Sequence, residues 1–149
     1  MQANAPFIES WFTMFGIENL PEWKLGYIAG ILDGEGSILL LRSSCRARIY
    51  PRVVVGMSDH VCVGTLQNIT SVGHVYTVEY KKKNCKSIYT WNVQAVLEIY
   101  FLLKAVLPYL ITKKERAKVM IDFVERRIQN IPQGSYDEEL RRKLRELNK

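Results

Sequence analysis

The chain is poor in the residues that brace small folds covalently or through metals. Its three cysteines, Cys45, Cys62 and Cys85, are odd in number and widely spaced, with no C-x-x-C pair and only His60 and His74 to join them as ligands. Neither a zinc site nor a disulfide framework is implied. No run of about 18 apolar residues is present, so no membrane partner is expected. The N-terminus lacks the basic start of a secretory signal, and the expectation is a soluble intracellular protein. Acids are also in deficit, 15 Asp plus Glu against 21 Lys plus Arg, a net charge of +6 that a homodimer would double. Such a surplus suits a nucleic-acid partner, and by itself it suits a merely basic protein equally well. What is plentiful is apolar side chain: 48% of 149 residues is enough for one domain with a real core.

The chain is organised around Tyr27 to Gly36, read as Y-I-A-G-I-L-D-G-E-G. Leu25, Ile28 and Leu32 form one stripe and Trp23, Tyr27 and Ile31 a second, predicting a helix from about Pro21 to Asp33. Gly26, Gly30 and Gly34 recur every four residues beside Ala29, leaving a strip of bare backbone. An interior glycine costs up to about 1 kcal/mol relative to alanine, so the strip needs a reason, and close packing of a second helix supplies one. Gly34 is expected as the left-handed residue that ends the helix, with Asp33 in its last turn and Glu35 just beyond. A helix C-terminus repels carboxylates. If a symmetry mate packs on the glycine strip, four acids converge, and cations are needed to hold them.

Along the chain, Phe7, Trp11 and Phe15 suggest a short amphipathic segment within an N-terminal extension, residues 1–20. Ser37 to Arg42 and Arg46 to Met57 read as strands. In the second, Arg46, Arg48, Tyr50 and Arg52 alternate with Ala47, Ile49, Pro51 and Val53, which makes one strand face basic. Ser58-Asp59 caps a helix through Ile69. His74 to Lys82 and Lys86 to Val93 flank a basic hairpin tip containing Lys81 and Lys83. Either Thr77, Glu79, Lys81, Ser87 and Tyr89, or the alternate set with Lys86, Thr90 and Asn92, faces the partner; the first is preferred. Ala95 to Leu107 and Lys113 to Ile128 read as helices, and Ser135-Tyr136-Asp137-Glu138 as a capping box for a last helix striped by Leu140, Leu144 and Leu147.

Ile28 to Gly36, I-A-G-I-L-D-G-E-G, resembles the LAGLIDADG motif of homing endonucleases, with Ile28 for the usual leucine and Glu35 for the usual final aspartate. The element order resembles that family's α+β fold over about residues 21 to 130: an α-β-β-α-β-β-α core whose four antiparallel strands form a saddle. Here it carries extra N- and C-terminal helices within one domain, 1–149. The resemblance implies a homodimer of the single-motif class, packed through Gly26, Gly30, Asp33 and Gly34. It further implies a catalytic Mg2+ or Mn2+ held by Glu35 with the Gly34 backbone, and double-stranded DNA on Arg42, Arg46, Arg48, Tyr50, Arg52 and the preferred set. Cleavage of both strands across the minor groove, at a nearly two-fold symmetric site, follows as the expected activity. Lys113, in L-P-Y-L-I-T-K, matches the segment that places the family's active-site lysine; Lys114 is the alternative. Ser58 matches a residue that orders active-site water, or is simply a helix cap. Intron RNA, as for a splicing maturase, and a non-cleaving DNA-binding regulator are the rival readings.

Overall fold

Pro21 opens the first helix: its carbonyl accepts from the Lys24 amide at 2.9 Å, and its fixed φ suits the entry to a helix. This computed structural model describes residues 16–45, 47–79 and 86–149, so the Phe7-Trp11-Phe15 segment, Arg46, Lys81 and Lys83 lie outside the described residues. A 3-10 turn at Ile17–Asn19 precedes α1 (Glu22–Glu35), then β1 (Gly36–Arg42), β2 (Ile49–Met57), α2 (His60–Thr70), β3 (His74–Val78), β4 (Ile88–Val93), α3 (Val96–Val106), a 3-10 turn at Leu107–Tyr109, α4 (Lys114–Ile128) and α5 (Ser135–Leu147).

The first helix ends later than its glycines suggest. Gly34 is helical, and the cap is Gly36, whose backbone is extended at φ −79° and whose amide donates to the Leu32 carbonyl. Glycine is required at 36 by crowding, because a Cβ there would sit 2.7 Å from the Leu32 carbonyl oxygen. The helix therefore passes straight into β1, and Glu35 is its last residue.

The sheet is antiparallel in the order β1-β2-β4-β3. Ile38, Leu40, Ile49, Val53, Val55, Trp91 and Val93 are buried against the helical layer. Ser37, Leu39 and Leu41 lie opposite Val54, Arg52 and Tyr50, and continue through Thr90 and Asn92 to Tyr76 and His74 on the uncovered face. The strand begins at Ile49, three residues later than expected, since Ala47 adopts φ 49° and interrupts the extended run, leaving Arg48 ahead of β2. Pro51 sits where β2 has β1 alone beside it, an edge-like place that tolerates its missing donor. Nearby, the Gln133 amide takes up both backbone groups of Ile49, at 2.9 and 2.7 Å.

Asp59 caps α2 by accepting from Val61 and Cys62. Ala117, Met120, Ile121 and Val124 of α4 are buried beside α3, and Leu140 and Leu144 bury α5. The predicted capping box is displaced by one residue: α5 starts from Gly134, whose amide donates to Asp137 at 2.8 Å. Asp137 is fully buried between Arg127 at 2.9 Å and Arg126 at 3.3 Å. Among the described residues, no helix is long and apolar enough to cross a membrane.

Candidate active site and nucleic-acid interface

Residues two apart on a helix stand about 200° apart around it. With Gly34 helical, Asp33 and Glu35 point to opposite sides, and the expected convergence of both acids does not occur. Asp33 turns into its own chain. Its carboxylate accepts from the Ile111 amide at 2.7 Å, the Lys113 amide at 2.9 Å and the Thr112 hydroxyl at 3.0 Å. Burial raises its pKa, but the hydrogen bonds from Ile111, Lys113 and Thr112 outweigh that and hold it below the usual value.

Lys113 is buried at 9% exposure. Its ammonium donates to the carbonyls of Leu32 and Asp33, both at 2.8 Å, a cation placed where the helix dipole is negative. Burial lowers its pKa, the Arg116 charge adds to this, and Asp33 and Glu35 oppose it. Lys114, by contrast, is simply the first residue of α4.

Glu35 is exposed and makes no hydrogen bond or ion pair among the described residues. It borders a depression of about 440 Å³ with Gly56, Met57, Ser58, Asp59, Lys86 and Ile88. The cap of α2 is Asp59, so Ser58 is left at the rim of that depression. A free carboxylate, with backbone carbonyls beside it, is a hard-oxygen donor set suited to a divalent cation of the magnesium or calcium type. The described residues contain no cluster of three or more His, Cys, Asp or Glu.

Gly26, Gly30 and Gly34 lie along the outside of α1. A Cβ added to any of them would meet nothing within 4 Å, so packing inside the chain does not require glycine there. Trp23, 67% exposed, and Tyr27, 39% exposed, flank the strip.

On the uncovered sheet face, the Arg52 Nε donates to the Asn92 side-chain oxygen at 3.2 Å. The preferred face for β3 and β4 is corrected by the register. Thr77 pairs with Tyr89 on the side of Trp91, which is fully buried, and the Tyr89 ring lies 5.5 Å from that of His60 in α2. Glu79 and Ser87 lie just beyond the paired strand ends. The alternate set, Thr90 and Asn92, lies by register with Tyr76 on the face that the helices leave uncovered, where Asn92 is itself only 9% exposed. Arg42 is corrected as well: it shares the parity of Ile38 and Leu40, and its guanidinium pairs with Glu138 of α5. Arg48 lies beside the ends of α3 and α4, around a groove of about 880 Å³ with Leu97 and Arg127.

The fold and the site now meet the comparisons with known proteins. Archaeal intron-encoded homing endonuclease I-Vdi141I, solved with DNA, superposes at a TM-score of 0.72 and 16% identity, over 85% of this chain and 84% of that one. Homing endonuclease I-CvuI, solved with the I-CreI target in the presence of Mg, gives 0.61 at 18% identity, over 86% and 96%. This chain has the LAGLIDADG homing-endonuclease fold. The LAGLIDADG meganuclease I-AabMI, bound to uncleaved DNA, matches at 0.64 and 16% identity over 80% of this chain but only 43% of its own. I-CvuI has also been solved with its target in the presence of Ca. In sequence, the intron-encoded DNA endonuclease aI3 of Saccharomyces cerevisiae is 32% identical across 64% of this chain. The chain spans 23% of that protein's length. No protein-family model matches. In the LAGLIDADG fold seen here, Asn92 and Thr90 are the residues that alternation alone leaves undecided, because both sets in β4 carry polar side chains. What decides between them is the side on which Trp91 is buried.

Proposed function

We propose that two copies of this chain form a site-specific, divalent-metal-dependent DNA endonuclease, cutting both strands of a long, nearly two-fold symmetric target. The observation that carries this reading is the division of labour at the end of α1: the Glu35 side chain is exposed and without a partner among the described residues, while Asp33 and Lys113 are tied to each other. An unpaired carboxylate next to a basic chain's DNA face has a use as a metal ligand and little as a structural group. That several solved relatives contain this unit in under half of their length, 43% for I-AabMI, supports a site built from two such units.

Glu35 and the Gly34 carbonyl would hold the cation, Mg2+ or Mn2+, with the second copy's equivalents. When bound, such an ion lowers the pKa of its water and neutralises charge on the phosphate. The chain's own residues then do the rest. Of the three N–H groups on the Lys113 ammonium, two are taken by carbonyls, leaving one donor for a phosphate oxygen. Ser58 and Lys86, at the same depression, can bind water or phosphate. Arg52 and Tyr50, with Thr90, Asn92 and Tyr76 across the sheet, would read the duplex. The basic residues Arg46, Lys81 and Lys83 would supply phosphate contacts that are independent of sequence.

The test is selection of cut sites from a randomised DNA pool with magnesium, followed by Glu35→Gln on the selected site. The expected result is a single recovered site, and a variant that binds it within a few-fold of wild type but cuts at least about 100-fold more slowly, the size of a lost charge-stabilising group. Binding without any selectable cutting would instead favour a DNA-binding regulator.

A further inference from the structure

Resting on that reading of the α1 terminus, we propose that Asp33 is a positioning residue which acts on the reaction through Lys113. Residue 33 holds residue 113 at both ends. The Asp33 carboxylate accepts from the Lys113 main-chain amide at 2.9 Å, and the Asp33 main-chain carbonyl accepts from the Lys113 ammonium at 2.8 Å. The same carboxylate also takes the Ile111 amide and the Thr112 hydroxyl, so three consecutive residues hang from one side chain. Packing does little of this work. Leu110 is buried, but Ile111 is 85% exposed and Thr112 is exposed. These amides also lie at the entry to α4, where donors have no partner within the helix.

A lysine side chain is long and loses much rotamer freedom when fixed. Clamping its backbone to the helix that carries Glu35 holds the ammonium on the last-turn carbonyls of that helix without help from DNA or metal. Asp33 itself, turned about 200° from Glu35 around the helix, has no route to the cation that Glu35 would bind.

The experiment uses the full chain in three arms. First, in metal-free and DNA-free protein, the rate at which an amine-reactive acylating reagent labels Lys113 is measured against Lys114 by peptide mass. Asp33→Asn should raise that ratio about fivefold or more, as local opening exposes the amine, and Thr112→Val, which loses one bond of three, should raise it less. Second, single-turnover cleavage with magnesium should slow about tenfold or more in Asp33→Asn, while DNA affinity in calcium stays within about twofold, as expected of a misplaced group. Third, adding Asp33→Asn to Lys113→Met should cost nothing further, because groups that act as one unit are not additive. Unchanged labelling in both Asp33→Asn and Thr112→Val overturns the clamp, and so does a double variant whose losses multiply. Where Asp33→Asn does not fold, Thr112→Val alone decides by the same labelling ratio. If wild type cuts no DNA at all, the nuclease reading fails, while the labelling ratio still decides whether Asp33 holds Lys113.

Discussion

The Arg52 Nε donates to the Asn92 side-chain oxygen at 3.2 Å, which fixes one edge of the guanidinium and leaves its two terminal nitrogens without a bond among the described residues. A planar fork of that kind matches the O6 and N7 edge of guanine in the major groove. Arg52→Ala should therefore relax selection at one position of each half-site, by about 1–3 kcal/mol, whereas a phosphate contact would lower affinity for all sequences and reduce the salt slope by about one. Asn92→Ala should mimic Arg52→Ala in part, because it frees the guanidinium without removing it. Binding measured on a panel of single-base variants at two salt concentrations checks both. Equal weakening on every variant would move Arg52 to the phosphates.

At the scale of elements, α5 is fastened to the sheet through charge. Glu138 accepts from Arg141 at 2.7 Å and pairs with Arg42 at the end of β1, while Asn148 donates to the Ile38 carbonyl at 3.1 Å. Hydrogen bonds from Arg141 and then Arg42 hold the Glu138 carboxyl down from 4.5 to about 2. A carboxylate depressed in this way adds stability above its unfolded value, and that stability is lost as pH falls through its folded value. The attachment of α5 should accordingly weaken between pH 4.5 and about pH 2. Glu138→Gln should remove this step, so that urea midpoints of variant and wild type converge near pH 2 and part above pH 4.5. Midpoints that stay parallel across that range would show the pair to be a surface contact without net effect, the common fate of exposed ion pairs. The same salt bridge holds Arg42, expected among the DNA contacts, on the side of Ile38 and Leu40 toward α5.

For the whole molecule, the glycine strip of α1 predicts the assembly. A Cβ at residue 30 would meet nothing within 4 Å in the isolated chain, but Gly30→Leu would hold two α1 helices apart at a cost of about 1–3 kcal/mol. Sedimentation should show a folded monomer where wild type is a dimer, with cleavage lost; a variant that dimerises and cuts normally would put the interface elsewhere. Much of this architecture was legible in the sequence by itself. Apolar spacing marked five helices and the parity of β2, because burial on one face imposes a period that survives any detail of packing. The sequence also singled out Glu35 and Lys113 as candidates, through the resemblance of Ile28 to Gly36 to the LAGLIDADG motif and of Leu107 to Lys113 to the segment after the fourth strand. Tertiary structure alone decided the rest. Whether a helix stops at Gly34 or Gly36 depends on how closely the next strand crosses Leu32, and that stop is what separates Asp33 from Glu35. The exposed face of β4 depends on which side the sheet lays against α2, since Tyr89, Trp91 and Val93 alternate with residues that are polar but no less compatible with a strand. The partners of Asp33 lie 78 to 80 residues away in the chain, a separation at which no local pattern records a contact, so only the packed molecule could show that Asp33 is bonded within its own chain while the Glu35 side chain has no partner among the described residues.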